Sequence, residues 1–238
     1  MIFETLIAWS VCGNIPTNTS TLPLLTRHMV TVQAGGVQQI WPTLRKVHRS
    51  TCSEMRASGQ PIHAGRYGRW TFKNGRNIGD EIRKKIVSWD VAPGQEYFDE
   101  LFRVSRNQVI WGGNYFHLPP TRCFLVWRKV NVPEKFSMAM AEYAWTSFQA
   151  NAKVFEYSAT NQPDRFHPTQ KPVQLYEWIL ERYAKPGDKI LDTHVGSGSS
   201  LIACYNLGFD ATGFEIDEEY FRKAQDRLND EMAQIRMF

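Results

Sequence analysis

The chain has 238 residues, 42% of them hydrophobic and 22% charged, enough for one α/β domain with a sizeable core. No apolar run reaches the ~18 residues that a membrane-spanning helix needs, so no membrane partner is expected. The net charge of +4 divides unevenly: residues 1–90 hold 12 Lys/Arg against 5 Asp/Glu (+7), and residues 91–238 hold 16 against 19 (−3).

A basic segment beside a slightly acidic body suits a polyanionic partner, although a plain solvated face has the same signature. The four cysteines, Cys12, Cys52, Cys123 and Cys204, lack metal-ligand spacing and form no disulfide framework. A reducing cytoplasm is therefore expected. The first residues, Met1-Ile2-Phe3-Glu4, carry no basic group, and the apolar run to Cys12 lacks a convincing cleavage site, so no secretory signal is expected.

Residues 1–44 hold only two charged side chains, Glu4 and Arg27, and follow neither a helical nor a strand period for long. Residues 45–85 are basic and contain glycine, again without a clear period. Residues 1–83 thus form an atypical N-terminal segment. From Trp89 the pattern becomes regular. Apolar residues at 97, 98, 101, 102 and 104 predict an amphipathic helix over Tyr97 to Val104. Gln108 to Trp111 predicts a short buried strand stopped by Gly112-Gly113. Further strands are predicted over Cys123 to Trp127, Tyr143 to Phe148 and Lys153 to Tyr157.

The last third is the clearest. A helix starts at Pro172 and runs to about Tyr183. A turn over Lys185-Pro186-Gly187-Asp188 leads into a strand over Lys189 to Asp192. A Gly/Ser-rich loop over Thr193 to Gly198 opens a helix from Ser199 to Leu207, ended by Gly208. A strand over Ala211 to Glu215 and a helix over Asp217 to Leu228 follow. Strand, glycine loop, helix, strand is a nucleotide-binding βαβ unit.

Glycines at 196 and 198 let backbone approach a ligand ahead of a helix N-terminus. Glu215 ends the next strand, 19 residues after Gly196, where an acid can accept from ribose hydroxyls. The alternative is an ordinary tight turn with an exposed Glu. A nicotinamide fingerprint wants a third glycine at position 201, and Leu201 stands there.

Three segments together carry a resemblance: Phe166-His167-Pro168-Thr169-Gln170-Lys171-Pro172, Asp192 to Ser199, and Gly213-Phe214-Glu215-Ile216-Asp217. Over roughly residues 84–238 the chain is similar to the amino-methylating DNA methyltransferases, which make N6-methyladenine or N4-methylcytosine from S-adenosylmethionine. The order resembles the permuted group, with the catalytic region first and the cofactor region last. Trp111 to Phe116 resembles a segment of phage and prophage members, which favours adenine as target.

The resemblance implies a Rossmann-like α/β fold with a mostly parallel sheet and helices on both faces. It implies that Asp192, Gly196 and Gly198 shape the pocket for the methionine end of the cofactor. Thr169 and Lys171 would lie beside that end, with Lys171 paired to its carboxylate. Glu215 would hold the ribose, and Asp217 would lie near the adenine. His167 divides evenly between a capped turn and direct contact, and His194 is expected to pack against the loop. The partner would be double-stranded DNA with a flipped base, in a bacterial or phage-infected cell. Target recognition is expected around residues 119–164. Arg66, Arg69, Lys73, Arg76, Arg83, Lys84 and Lys85 are candidate phosphate contacts, and Arg122, Arg128 and Lys129 flank a strand nearer the DNA. Trp127, Trp145 and Phe148 read as core.

The family's acceptor motif, Asp/Asn/Ser-Pro-Pro-aromatic, is absent. The only Pro-Pro is Pro119-Pro120, followed by Thr121, and it reads as a loop stiffener. No catalytic residue can therefore be named. One permitted codon choice for Leu25 to Gly35 reads, from the last base of the Leu25 codon, as Asp-Pro-Pro-Tyr-Gly-Asp-Gly-Ala-Gly. Thr21 to Leu24 permit Leu-Ala-Ile-Ala just before it, a buried-strand pattern. About the first 40 residues, extending at most to 80, are therefore expected to be out of frame. The competing readings are a catalytically dead remnant that binds cofactor or DNA, and a methyltransferase acting on RNA or protein.

Overall fold

The computed structural model describes residues 93–234 other than 137, 138, 161, 163, 164 and 216, together with the backbone of residues 7–11. The candidate phosphate contacts from Arg66 to Lys85 and the segment Leu25 to Gly35 lie outside the described residues.

The helices are α1 (Gln95–Val104), α2 (Val173–Tyr183), α3 (Ser199–Leu207) and α4 (Glu218–Ala233). The strands are β1 (Ile7–Val11), β2 (Val109–Trp111), β3 (Phe124–Lys129), β4 (Ala141–Thr146), β5 (Lys153–Tyr157), β6 (Lys189–Asp192) and β7 (Asp210–Glu215). Every element expected from Tyr97 onward is present, with ends moved by a few residues. Helix α4 runs furthest past its expected end, to Ala233; Tyr220, Phe221, Ala224 and Leu228 form its buried face, and no residue of the added turn is buried.

Among the described residues two sheets form, in the orders β1-β7-β6 and β2-β4-β3-β5. The pairs β6–β7 and β3–β5 are parallel; β1–β7, β2–β4 and β3–β4 are antiparallel. The α/β class is as expected, and β6–α3–β7 is the parallel βαβ unit. The sheets are mixed in direction. Antiparallel neighbours such as β3 and β4 need no crossover helix, and a loop joins them directly.

Strand alternation sends neighbouring side chains to opposite faces. Val109, Trp111, Ala144, Ile190 and Ala211 enter one core with residues of α2, α3 and α4. Ile110, Trp145, Leu191 and Phe214 enter the other, beneath Phe98, Leu101 and Val104 of α1. Helices therefore cover both faces. Trp127 and Trp145 are buried, and Phe148 stacks on Tyr183 at 4.5 Å, so all three are packing residues. Among the described residues no helix is long and apolar enough to cross a membrane.

A tight joint lies in β7. A Cβ on Gly213 would stand 2.4 Å from Val195 Cγ2 and 3.0 Å from Leu201 Cδ1. Position 201 is thus a core leucine resting on a bare strand backbone. Gly213→Ala is expected to lower stability by about 1–3 kcal/mol, the usual result of overpacking. Urea unfolding of the two chains measures it, and an unchanged midpoint would show that the joint is loose.

Candidate functional site

The site forms where β6 and β7 end side by side. Asp192 is the last residue of β6, and Glu215 is the last of β7. Between them in sequence lies the loop of residues 193–198, in which Gly196 and Gly198 take φ of +55° and +77°. L-residues rarely adopt that conformation, so glycine is needed for the turn itself. Gly196 also gives way to a neighbour: its Cβ would meet the His167 ring at 3.0 to 3.3 Å.

Glu215 is only 3% exposed. One carboxylate oxygen accepts the Gly196 amide at 2.7 Å, and the other accepts the Asp217 amide at 3.0 Å. The acid thus ties the glycine loop to the turn that follows its own strand. Burying a carboxylate is unfavourable, and charge-assisted bonds from two backbone amides offset much of that penalty.

Asp192 is equally buried. Its oxygens accept from the His194 amide at 2.8 Å and from the Ser200 hydroxyl. Burial pushes its carboxyl up to about 6, against the opposing pull of Ser200, the His194 amide and Lys171. The loop is held from the far side by Arg227 of α4, whose Nη1 donates to the Ser197 carbonyl at 3.0 Å and to Ser199 Oγ at 2.8 Å.

The segment before α2 closes the site. His167 is buried, with its ring on Gly196 and edge-on to Tyr220 at 4.4 Å. Its Nδ1 accepts from the Thr169 amide at 3.3 Å and meets the Thr169 hydroxyl at 3.1 Å. This is the geometry of a capped turn, and it wedges the turn against the loop. Gln170 Oε1 accepts from the Phe166 amide at 3.2 Å, completing the turn.

Lys171 is buried, and its ammonium lies 3.1 Å from Glu142 Oε2. Lys129 reaches the other oxygen of Glu142 at 2.7 Å. Burial alone would raise the Glu142 carboxyl, but Lys171 and Lys129 outweigh it and hold the group at about 2. Lys129 is 8% exposed, which removes it from the candidate DNA contacts. Its place on β3 alternates with outward-facing Arg128, so its ammonium points inward. Arg128 and Arg122 are exposed; they pair with Glu156 and, at 2.7 Å, with Asn151.

Asp217 is the N-cap of α4, accepting from the Glu219 and Tyr220 amides at 3.0 and 3.1 Å. His194 packs edge-on to Tyr97 at 5.8 Å, and its Nδ1 lies 2.8 Å from Thr193 Oγ1. Tyr97 OH meets that same Thr193 oxygen at 2.8 Å. Sequence reading found the loop, its two acids and the turn. It missed Glu142, Tyr97, Ser200 and Arg227. Only Tyr97 left a signal, as an apolar-face residue of α1 that carries a hydroxyl.

The raised Asp192 carboxyl fixes a pH dependence. The folded chain binds this proton more tightly than the unfolded chain, so stability falls as pH rises from about 4 through 6. Asp192→Asn is expected to remove that slope and to stabilise the chain at pH 7.5 by about 1–3 kcal/mol. Thermal unfolding between pH 4.5 and 7.5 checks it. An Asn variant with the parent's slope would show that another group titrates.

The family model for N6/N4 DNA methylases matches residues 39–226. Among curated proteins, the chain is 32% identical over 106 residues to the type II methyltransferase M.HpaI of Haemophilus parainfluenzae, covering 43% of this chain and 33% of that one. It is 43% identical over 65 residues to the type II methyltransferase M2.DpnII of Streptococcus pneumoniae, covering 27% of this chain and 24% of that one. The chain thus matches about a quarter to a third of the length of these relatives. Among solved structures, the M1.HpyAVI–SAM complex aligns with a TM-score of 0.40 at 29% identity, over 44% of this chain and 61% of that one. A putative DNA modification methylase of Thermus thermophilus, complexed with S-adenosyl-L-methionine, aligns with a TM-score of 0.41 at 16% identity, over 77% of this chain and 94% of that one. With the family match spanning most of its length, this chain belongs to the N6/N4 DNA methylases.

Proposed function

We propose that the chain binds S-adenosylmethionine at the C-terminal ends of β6 and β7 and belongs to a methyltransferase acting on an exocyclic amine of DNA, adenine N6 ahead of cytosine N4. The observation that carries this is Glu215, a buried acid at a strand end that braces a loop of two left-handed glycines. The residues present fit the cofactor. Glu215 offers a carboxylate at the place where a ribose diol needs an acceptor. Gly196 and Gly198 give the loop its left-handed turns, and buried Lys171 can receive a carboxylate at the methionine end. When bound, S-adenosylmethionine supplies the methyl group; the chain's own residues hold and orient it. Thr169 and Lys171 would flank its amino-acid end. His167 would keep the loop closed on that end. Asp217 would serve through its amide and its cap, by fixing the turn beside the adenine.

Methylating an amine also needs acceptors for its hydrogens and a flipped base. Residues 119–164 supply β3, β4 and β5, with exposed Arg122 and Arg128 for phosphates. A second frame over Leu25 to Gly35 can spell the acceptor motif under one permitted codon choice. Two observations support that reading. The family match begins at residue 39, just after this segment. Among the described strands β6 pairs only with β7 and β2 only with β4, while Leu191 of β6 and Ile110 of β2 share one core. A strand ending in Asp-Pro-Pro-Tyr would suit the ground between them. On this reading the frame of the first 40 or so residues differs from that of the rest, and the chain as written binds cofactor without efficient turnover. The alternative, a genuine non-catalytic remnant, rests on the same missing motif.

Labelled methyl transfer to unmethylated DNA, run beside equilibrium binding of S-adenosylmethionine, tests the proposal. Binding with little or no transfer is expected from this chain. Transfer is expected to appear once the frame over residues 1–40 is restored. The encoding bases of Leu25 to Gly35 give a direct check, because a sequence unable to spell the motif ends the frame reading. Failure to bind the cofactor would contradict the site itself.

A further inference from the structure

Glu142 stands outside every motif that the sequence singles out, yet it is bonded to one of them. It lies on β4, on the same face as Ala144 and Thr146, and reaches Lys171 of the turn before α2. One oxygen takes Lys129 of β3 and the other takes Lys171 of the turn. Both lysines are nine-tenths buried, so neither reaches bulk water for a counter-ion. Each ammonium also lies near an indole: Lys129 Nζ is 5.0 Å from the Trp127 ring centre, and Lys171 Nζ is 5.3 Å from that of Trp111. Three elements thus converge on one carboxylate.

A lysine head on a four-carbon stem has many rotamers, and freezing one is entropically unfavourable. Glu142 fixes the Lys171 head, and Lys129 in turn fixes Glu142. One carboxylate is shared by the two cations, so Lys171 keeps donor capacity for a further acceptor. Asp192, already bonded to Ser200 and the His194 amide, is the other acid felt by Lys171.

We propose that Glu142 is a positioning residue for the cofactor's amino-acid end: it holds Lys171 where a ligand carboxylate can join it, with Lys129 as the anchor. This rests on the reading of the glycine loop as a cofactor site. Glu142 touches no ligand atom in this account and acts only through Lys171.

The test compares two nucleosides that share the adenosine and differ in the amino-acid end. S-adenosylhomocysteine carries the carboxylate, and 5′-methylthioadenosine does not. Calorimetric titration of Glu142→Gln is expected to show S-adenosylhomocysteine weakened about tenfold, as for loss of a charge-assisted contact, with 5′-methylthioadenosine unchanged. In a Lys171→Met background, Glu142→Gln should add nothing further. Unchanged methylthioadenosine binding also shows that the variant is folded. Equal weakening of both nucleosides would reduce Glu142 to a structural ion pair and overturn the proposal, as would weakening of neither. If the unaltered chain binds neither nucleoside, the cofactor reading fails and takes this proposal with it.

Discussion

The site is organised by one buried carboxylate with two backbone amides on it. Glu215 accepts from Gly196 and from Asp217, and so joins the loop after β6 to the turn after β7. A carboxylate in a dry place must be satisfied or protonated. Two amides satisfy it only if both turns keep their shapes. The left-handed glycines, the Asp217 cap and the bare backbone at Gly213 serve that requirement. Each makes room for, or fixes, an N–H that points at the acid.

Around this brace the rest of the described fold converges by packing. Arg227 of α4 grips the loop from one side, and the His167 ring presses on Gly196 from the other. Tyr97 of α1 reaches Thr193, and Ser200 of α3 reaches Asp192. The second sheet joins through Glu142 and its two lysines. Residues far apart in sequence thus hold a single loop of six residues from four directions, which is the preorganisation that a small-ligand site requires.

Much of this was legible in the sequence, for identifiable reasons. The βαβ unit announces itself because period and punctuation agree: Lys189 to Asp192 is short with an apolar pair at its centre, glycines follow, and Gly208 ends the helix. Glu215 stands out as an acid at the end of a buried strand. That its oxygens hold the loop itself was hidden, because a backbone amide has no letter in the sequence. Glu142 was hidden for another reason. In β4 it occupies an ordinary alternating position, and its partners come from a neighbouring strand and a remote turn. Lys129 looked like a surface base because strand register, which decides the face, is set by pairing with β4 and β5. The mixed sheet directions were equally beyond reach, since a short apolar run reads the same way up or down.

Amide hydrogen exchange at single-residue resolution tests the brace most directly. In the ligand-free chain, the Gly196 and Asp217 amides should exchange slowly, at rates close to those of the β6–β7 ladder, because both donate to a buried acid. Glu215→Ala should bring both to loop-like rates while the ladder amides stay protected. If Gly196 and Asp217 exchange freely in the unaltered chain, the carboxylate does not hold the loop, and the account of the site built on it is wrong.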